Sequence, residues 1–420
     1  MMKNIAVIGS GVAGLTTAHL LSREHTVSVF EKNDYIGGHT ATKDISHDGK
    51  NYVIDTGFIV CNDKTYPNFL ALLEQLNVEL QPTEMSFSVL NQRTGLEYNG
   101  HSLNSLFAQR RNIFRPKFWH LISAILRFNK QCKQLHAQGD IDTTITLGDF
   151  LAEHQFSDFF AQHYILPMGA AIWSTSLKEM KDFELKFFIQ FFYNHGLLNV
   201  ADRPQWYVIK GGSRAYIPAL IAPFKERVQL NCELKSVQRS NDGVCLMFAD
   251  GSEQHFDEVV FACHSDQALQ LLQTPTADEM SVLGDIPYSR NEVVLHHDKN
   301  LLPKRRLAWA SWNYLLAQSG ASSQPATVTY NMNILQGIES DTTFCVTLNQ
   351  TQLIDPNKII KQYVYHHPVF NSKSMAAQRK RAIICGHNNT HFVGAYWYNG
   401  FHEDGVRSAV DVAKRFGISL

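Results

Sequence analysis

Ile5-Ala-Val-Ile-Gly-Ser-Gly-Val-Ala-Gly14 is a short apolar run that breaks into three glycines and continues as a second apolar stretch to Leu21. This order predicts a buried parallel strand, a tight turn and a helix, the arrangement a dinucleotide phosphate requires. Gly9 permits the turn, Gly11 lets the backbone approach a pyrophosphate with no Cβ in the way, and Gly14 lets helix and strand pack closely. The helix would begin at Val12 and Ala13, whose N–H groups and positive dipole end face the anion. A second strand, Thr26-Val-Ser-Val-Phe30, runs into Glu31 and Lys32. Glu31 lies about twenty residues past the first glycine, where a carboxylate accepts hydrogen bonds from a ribose diol and disfavours a 2′-phosphate.

The composition bounds the rest. A chain of 420 residues, 44% hydrophobic and 18% charged, can bury a large core and is expected to form two domains. A net charge of −1 supplies no basic field to recruit nucleic acid. The seven cysteines are scattered and form no C-x-x-C, so a disulfide-free fold in a reduced, cytoplasmic setting is expected. Lys3 ahead of an apolar run mimics a signal peptide, but the glycines stand in phosphate-loop register, and no apolar run is long enough to span a bilayer. Among the 19 histidines, the pairs His296-His297 and His366-His367 project in different directions and His387-x-x-x-His391 runs into a strand, so no metal site is expected.

Beyond Lys32 the chain reads Asn33-Asp-Tyr-Ile-Gly37-Gly38-His39-Thr40, and Asp55-Thr56-Gly57-Phe58 follows a candidate strand, Tyr52-Val-Ile54. These residues resemble the flavin-containing amine oxidoreductases, a family that includes protoporphyrinogen oxidases and phytoene-type desaturases. The resemblance implies FAD rather than NAD, with Gly37, Gly38, His39, Thr40, Gly57 and Phe58 near it. It extends to a second glycine pair in Trp206–Arg214, Gly211-Gly212. A strand-period segment from Val228 to Leu234, with turns at Asn241-Asp-Gly243 and Asp250-Gly251, predicts a β-meander. Asp257-Glu-Val-Val-Phe-Ala262-Cys263 reads as a buried strand rejoining the main sheet, and Val228 and Ala262 are expected beside the cofactor. Thr390–Gly394 reads as the last strand, Gly400–Gly405 as a loop, and Gly405-Val406 onward as a helix facing the flavin.

The implied fold class is α/β: an FAD-binding Rossmann-like domain of the GR2 type with a β-meander, plus an inserted mixed α+β substrate domain. The expected boundaries are 1–62, 205–270 and 383–420 for the FAD domain, and 63–204 and 271–382 for the substrate domain. Gly37–Thr40, Ile172–Thr175, Asn194–Leu198 and Ala310–Tyr314 are phrases similar to bacterial "predicted NAD/FAD-binding proteins" and to the flavoprotein-like N-terminal region of plant cyclopropane-fatty-acid synthases.

A flavin accepts hydride at its own N5, so no acid–base dyad is required and no catalytic residue is assigned. Ala395 stands where amine oxidases commonly carry an acid, and Phe401 where many carry a cage tyrosine. With no cysteine near this loop, FAD is expected to be non-covalent. Tyr396, Trp397, Tyr398 and Phe401 either line the flavin face or sit in the core. His402 and Glu403 either approach the flavin and its ribityl hydroxyls or cap the helix. Between Glu97 and Asp140 no acid occurs, while Arg110, Arg111, Arg115, Lys117, Arg127, Lys130 and Lys133 interleave with aromatic and aliphatic residues. From Pro116 this reads as one amphipathic helix, either a solvated basic face or one suited to an anionic membrane.

The expected function is two-electron oxidation of a hydrophobic, lipid-linked substrate. The alternatives are a flavin-dependent amine oxidase and a non-catalytic flavoprotein partner of a lipid-modifying methyltransferase. Peripheral contact with the inner face of a membrane is an accompanying expectation.

Overall fold

A computed structural model describes residues 1–139, 141–173, 175–200, 203–316 and 327–420. Ser174, within the phrase Ile172–Thr175, and Asp140, which closes the acid-free stretch, lie outside the described residues. The chain forms two compact units: Met1–Gln81 with Ile209–Tyr288 and Ser372–Leu420, and Pro82–Val208 with Ser289–Asn371. The first unit therefore keeps more chain than the expected boundaries at 62, 270 and 383 allot to it. The reason is packing. Helix Pro67–Gln75 lies on the C-terminal helix, and helix Ala277–Gly284 packs on Ser265–Leu271 while Glu279 pairs with the buried Arg239 at 2.5 Å.

In chain order, the first unit contains β1 (Asn4–Ile8), α1 (Val12–Leu21), β2 (Thr26–Phe30), β3 (Thr42–His47), β4 (Lys50–Asp55) and α2 (Pro67–Gln75). After the excursion come β5 (Val228–Gln229), β6 (Leu234–Ser240), β7 (Gly243–Phe248), β8 (Glu253–Phe256), β9 (Glu258–Phe261), β10 (Thr390–Phe392) and α3 (His402–Arg415). Five strands make a parallel sheet in the order β5-β2-β1-β9-β10. Ile5, Val7, Val27, Val29, Val259 and Val260 are all buried, as expected of a parallel sheet covered on both faces.

β6, β7 and β8 form an antiparallel meander, as the turns predict. The segment from Val228 to Leu234 is not one strand. β5 ends at Gln229, and the chain hooks around Glu31, whose N–H donates to the Gln229 carbonyl at 2.9 Å while its carbonyl accepts from Cys232 N–H at 2.8 Å. Alternation alone does not show this hook, because both halves keep strand period.

The second unit holds a seven-stranded mixed sheet whose edge strands are Ile359–Pro368 and Leu96–Asn99. Its helices include Pro116–Gln138 and Leu185–Asn194, joined by an aromatic core. Phe128 meets Phe150, Phe156, Phe160 and Phe188 at 5.5–6.4 Å, and Trp173 meets Phe183 and Phe191 at 4.6 and 4.8 Å. All seven cysteines are free thiols. Among the described residues no helix is long and apolar enough to cross a membrane.

Gly14 sets the fit of α1 on the sheet. A Cβ there would lie 2.1 Å from the Gly9 carbonyl oxygen and 2.9 Å from the Ala262 Cβ. Gly14→Ala is therefore expected to destabilise the apoprotein by roughly 1–3 kcal/mol or more, read as a lowered thermal midpoint without flavin present.

Candidate functional site

The N-terminus of α1 is built to receive an anion. Gly11 is its N-cap with no side-chain cap, the first turn carries no acidic residue, and a Cβ on Gly11 would meet nothing within 4 Å. Gly37 and Gly38 close one side of this space: Gly37 N–H donates to the Ser10 carbonyl at 3.0 Å, and a Cβ on Gly38 would lie 3.2 Å from the Gly11 Cα. Gly9 adopts φ +108°, with the Ala262 carbonyl 2.9 Å from where its Cβ would be. Gly9, Gly11, Val12, Ala13, Gly14, Gly37, Gly38 and Ala262 thus converge at the C-terminal end of β1.

Glu31 is buried at the end of β2, but its carboxylate is already engaged. One oxygen accepts from Ser10 N–H at 2.9 Å and from its hydroxyl at 2.7 Å, and the other accepts from Asn33 N–H at 2.9 Å and Nδ2 at 2.7 Å. A ribose diol there has to share or displace these donors. Neither Ser10 nor Asn33 is legible from the glycine pattern, although both flank residues the pattern picks out. Lys32 is exposed, and Val228 pairs with Val29 at the sheet edge.

The second glycine pair returns the chain to this unit. Ser213, directly after Gly212, donates from N–H at 3.0 Å and from its hydroxyl at 2.9 Å to the buried Asp55 at the end of β4, which also accepts from Thr42 at 2.6 Å. Burial pushes the Asp55 carboxyl upward. Gly57 follows with the His39 carbonyl 2.2 Å from where its Cβ would be, and Phe58 N–H donates to that carbonyl at 2.8 Å.

α3 begins at His402, three residues earlier than the expected start at Gly405. Asp404 causes this: its carboxylate accepts from Phe401 N–H at 2.9 Å and caps the first turn. Gly405 N–H consequently donates within the helix to the Phe401 carbonyl, and Val406 is fully buried, so neither is a free donor at the helix terminus. Gly405 instead gives close packing, since a Cβ would lie 2.7 Å from Val12 Cγ1.

Glu403 does not stand free for ribityl hydroxyls. Its carboxylate accepts from Asn68 Nδ2 at 2.6 Å and Phe69 N–H at 2.9 Å, capping α2. The His402 ring stacks on Phe58 at 3.5 Å, with Nε2 3.1 Å from both the Thr40 and Tyr216 hydroxyls. Burial holds its pKa well below the ordinary histidine value, so the ring is neutral. The His39 ring faces His264 at 6.3 Å.

Tyr396 and Trp397 are buried, 4.9 Å apart, and the Tyr396 hydroxyl and Trp397 Nε1 find no hydrogen-bond partner among the described residues. A buried donor left unpaired costs about 1–3 kcal/mol, which a ligand acceptor would remove. These orphaned groups and the open space over Gly11 are features a flavin dinucleotide fits. Tyr398 instead hydrogen-bonds Asp411 under the Arg407 guanidinium. His296 holds Thr347 and Asp298 in the second unit. Three groups that the histidine spacing did not single out, Cys245, Glu253 and His255, place donor atoms within 4.8 Å of one another on β7 and β8.

A family model for flavin containing amine oxidoreductases matches residues 12–296. The chain is 21% identical over 328 residues to an L-amino-acid oxidase from Siganus canaliculatus, covering 71% of this chain and 55% of that protein, so it spans about half that relative's length. The structure of putrescine oxidase bound to putrescine superimposes with a TM-score of 0.70 at 14% identity, covering 99% of both chains. A CLA-producing fatty acid isomerase from P. acnes superimposes with a TM-score of 0.70 at 15% identity, covering 99% of this chain and 98% of that one.

Two outcomes follow from the site. Gly11→Val should fold with a thermal midpoint close to that of the parent apoprotein yet lose flavin, because the side chain enters space that only the cofactor needs; titration of the apoprotein with FAD reads this. For Asp404, burial raises the carboxyl from 3.8 to about 7. The folded state therefore binds the proton more tightly, and the cost of ionising it grows as pH rises from about 4 to 7. The thermal midpoint of Asp404→Asn should gain on the parent across that window and hold its gain above it.

Proposed function

The chain belongs to the flavin-containing amine oxidoreductase family, and from that premise we propose that it is an FAD-dependent oxidoreductase acting on a hydrophobic, lipid-linked substrate. When bound, FAD supplies a two-electron acceptor. The residues that would hold it are Gly9, Gly11 and the first turn of α1 at the pyrophosphate, Glu31 with Ser10 and Asn33 at the ribose, and Gly37 to Thr40 along its length.

The observation that carries the substrate reading is the absence of anything offered to a cation at the start of α3. Glu403 is spent on the N-terminus of α2, Asp404 is buried with its carboxyl raised to about 7, and Phe401 has no hydroxyl. An ammonium ion is recognised by a free carboxylate or by aromatic faces rich in tyrosine and tryptophan. Tyr396 and Trp397 present unpaired donors rather than acceptors, the Trp397 and Tyr398 rings already carry the Arg381 and Arg407 guanidinium groups at 5.5 and 4.0 Å, and His402 is neutral, so this loop offers an ammonium ion no anionic acceptor. Relatives named for a diamine and for a fatty acid share the fold equally well, so these residues, and not the fold, argue the choice.

Anaerobic mixing of the holoenzyme with a panel of acyl lipids and primary amines tests it. Bleaching of the visible flavin band by acyl lipids and not by amines is the expected result. Bleaching by amines alone returns the chain to amine oxidation, and bleaching by neither favours a flavoprotein partner without turnover.

A further inference from the structure

The second unit carries an exposed apolar edge set among basic residues. It begins with the turn Leu103–Leu106, continues through Arg110–Phe114 and runs into the helix Pro116–Gln138. Phe114 is 85% exposed, Leu103 78% and Trp119 49%, with Ile113 beside them. Two nearly solvated apolar side chains, Phe114 and Leu103, and two half-exposed ones, Ile113 and Trp119, in one short stretch exceed the scattered exposure usual on a surface.

The edge is held firmly. Trp119 Nε1 donates to the Ile113 carbonyl at 2.8 Å, and its ring meets Phe107 at 5.4 Å. Phe107 in turn packs edge-on against the buried Phe118. Arg110 ties the turn back to Asn104 and Phe107, donating at 2.6 Å to Asn104 Oδ1 and at 2.9 Å to the Phe107 carbonyl. The apolar tips are thus fixed outward by a packed base.

The helix extends the same face. It is 23 residues long, about 34 Å at 1.5 Å per residue. Trp119, Ile122, Leu126 and Lys130 recur at helical spacing along it. Beside its C-terminal half lies an open groove of about 620 Å³ with Leu126, Leu198 and Val200 as apolar lining and Lys130 and Lys133 as its charges. No Asp or Glu occurs from 98 to 139.

We infer that this edge is a docking surface for an anionic lipid bilayer, with Ile113, Phe114 and Trp119 entering the headgroup boundary and Arg110, Arg111 and Lys117 meeting lipid phosphates. The charge decides the occupant. A second copy of this chain, with net charge −1, offers no overall negative field to an acid-free basic segment, whereas an anionic leaflet does. The exposed apolar residues supply what a merely solvated basic face lacks.

The test is co-sedimentation of the FAD-loaded protein with vesicles of equimolar phosphatidylcholine and phosphatidylserine, against vesicles of phosphatidylcholine alone. Binding to the mixed vesicles at low salt, weakening steeply as salt shortens the screening length, is expected. Each basic residue removed should lower affinity about fivefold, and Phe114→Ser should lower it about tenfold or more. Flavin content should stay unchanged in all variants, since neither site lies in the flavin-binding unit; the thermal midpoints of Arg111→Glu and Phe114→Ser should stay close to the parent's, and Arg110→Glu, which also loses its bonds to Asn104 and Phe107, is read against them.

Failure to bind the mixed vesicles overturns the inference. So does equal binding by the parent and by the Arg110→Glu, Arg111→Glu and Phe114→Ser variants. A dimer that these substitutions dissociate, without change in vesicle binding, assigns the edge to a second copy and overturns it too. The measurement reads binding and not turnover, so its failure leaves the flavin chemistry untouched.

Discussion

The Gly9 carbonyl oxygen occupies the space in which any other residue at position 14 would place its Cβ, 2.1 Å away. This contact brings α1 down onto the end of β1 and fixes where its first turn opens. The rest of the cofactor cradle is built around that point. Gly38 closes against Gly11, Ala262 closes against Gly9 and Gly14, and Gly405 closes against Val12. Each approach is one that a methyl group would block, so four segments far apart in sequence share one steric requirement.

Buried polar groups then lock the segments together, and most are spent on the protein itself. Asp55 accepts from Ser213 and Thr42, which seats the second glycine pair on β3 and β4. Glu31 joins the glycine turn to the loop after β2, and Glu403 joins α3 to α2. Each carboxylate is expensive to bury and stays only because its oxygens are satisfied. The consequence for chemistry is a site in which Asp55 and Glu403 are structural acids, and Glu31 can serve a ribose only by sharing its carboxylate with Ser10 and Asn33. What remains without a protein partner is the buried Tyr396 hydroxyl and Trp397 indole N–H, beside the buried, neutral His402 imidazole.

Much of this was legible in the residues. β2 spans Thr26–Phe30 as its alternation indicates, the Asp257–Cys263 phrase yields a strand beside β1, and the helix from Pro116 runs to Gln138. These signals survive because they are local: a buried strand needs a short apolar run, a tight turn needs glycine, and Pro at a helix start needs no partner. α3 starts at His402 and not at Gly405, which resembles a loop glycine, because the capping role of Asp404 depends on the backbone at Phe401. The hook between Val228 and Leu234 leaves no local signal, because its cause is the backbone of Glu31, far away in sequence.

The amino-acid sequence by itself determined the strand-turn-helix that opens the chain, the acid at the end of the second strand and the basic, acid-free segment, because spacing and composition alone carry those features. Only the tertiary structure decided which acids remain available. Whether Glu31, Glu403 and Asp404 face a ligand or a neighbouring helix depends on what the folded chain brings within 3 Å, as Asn33, Asn68, Phe69 and the Phe401 amide show. A carboxylate has the same composition in either setting, and its partners are chosen by packing.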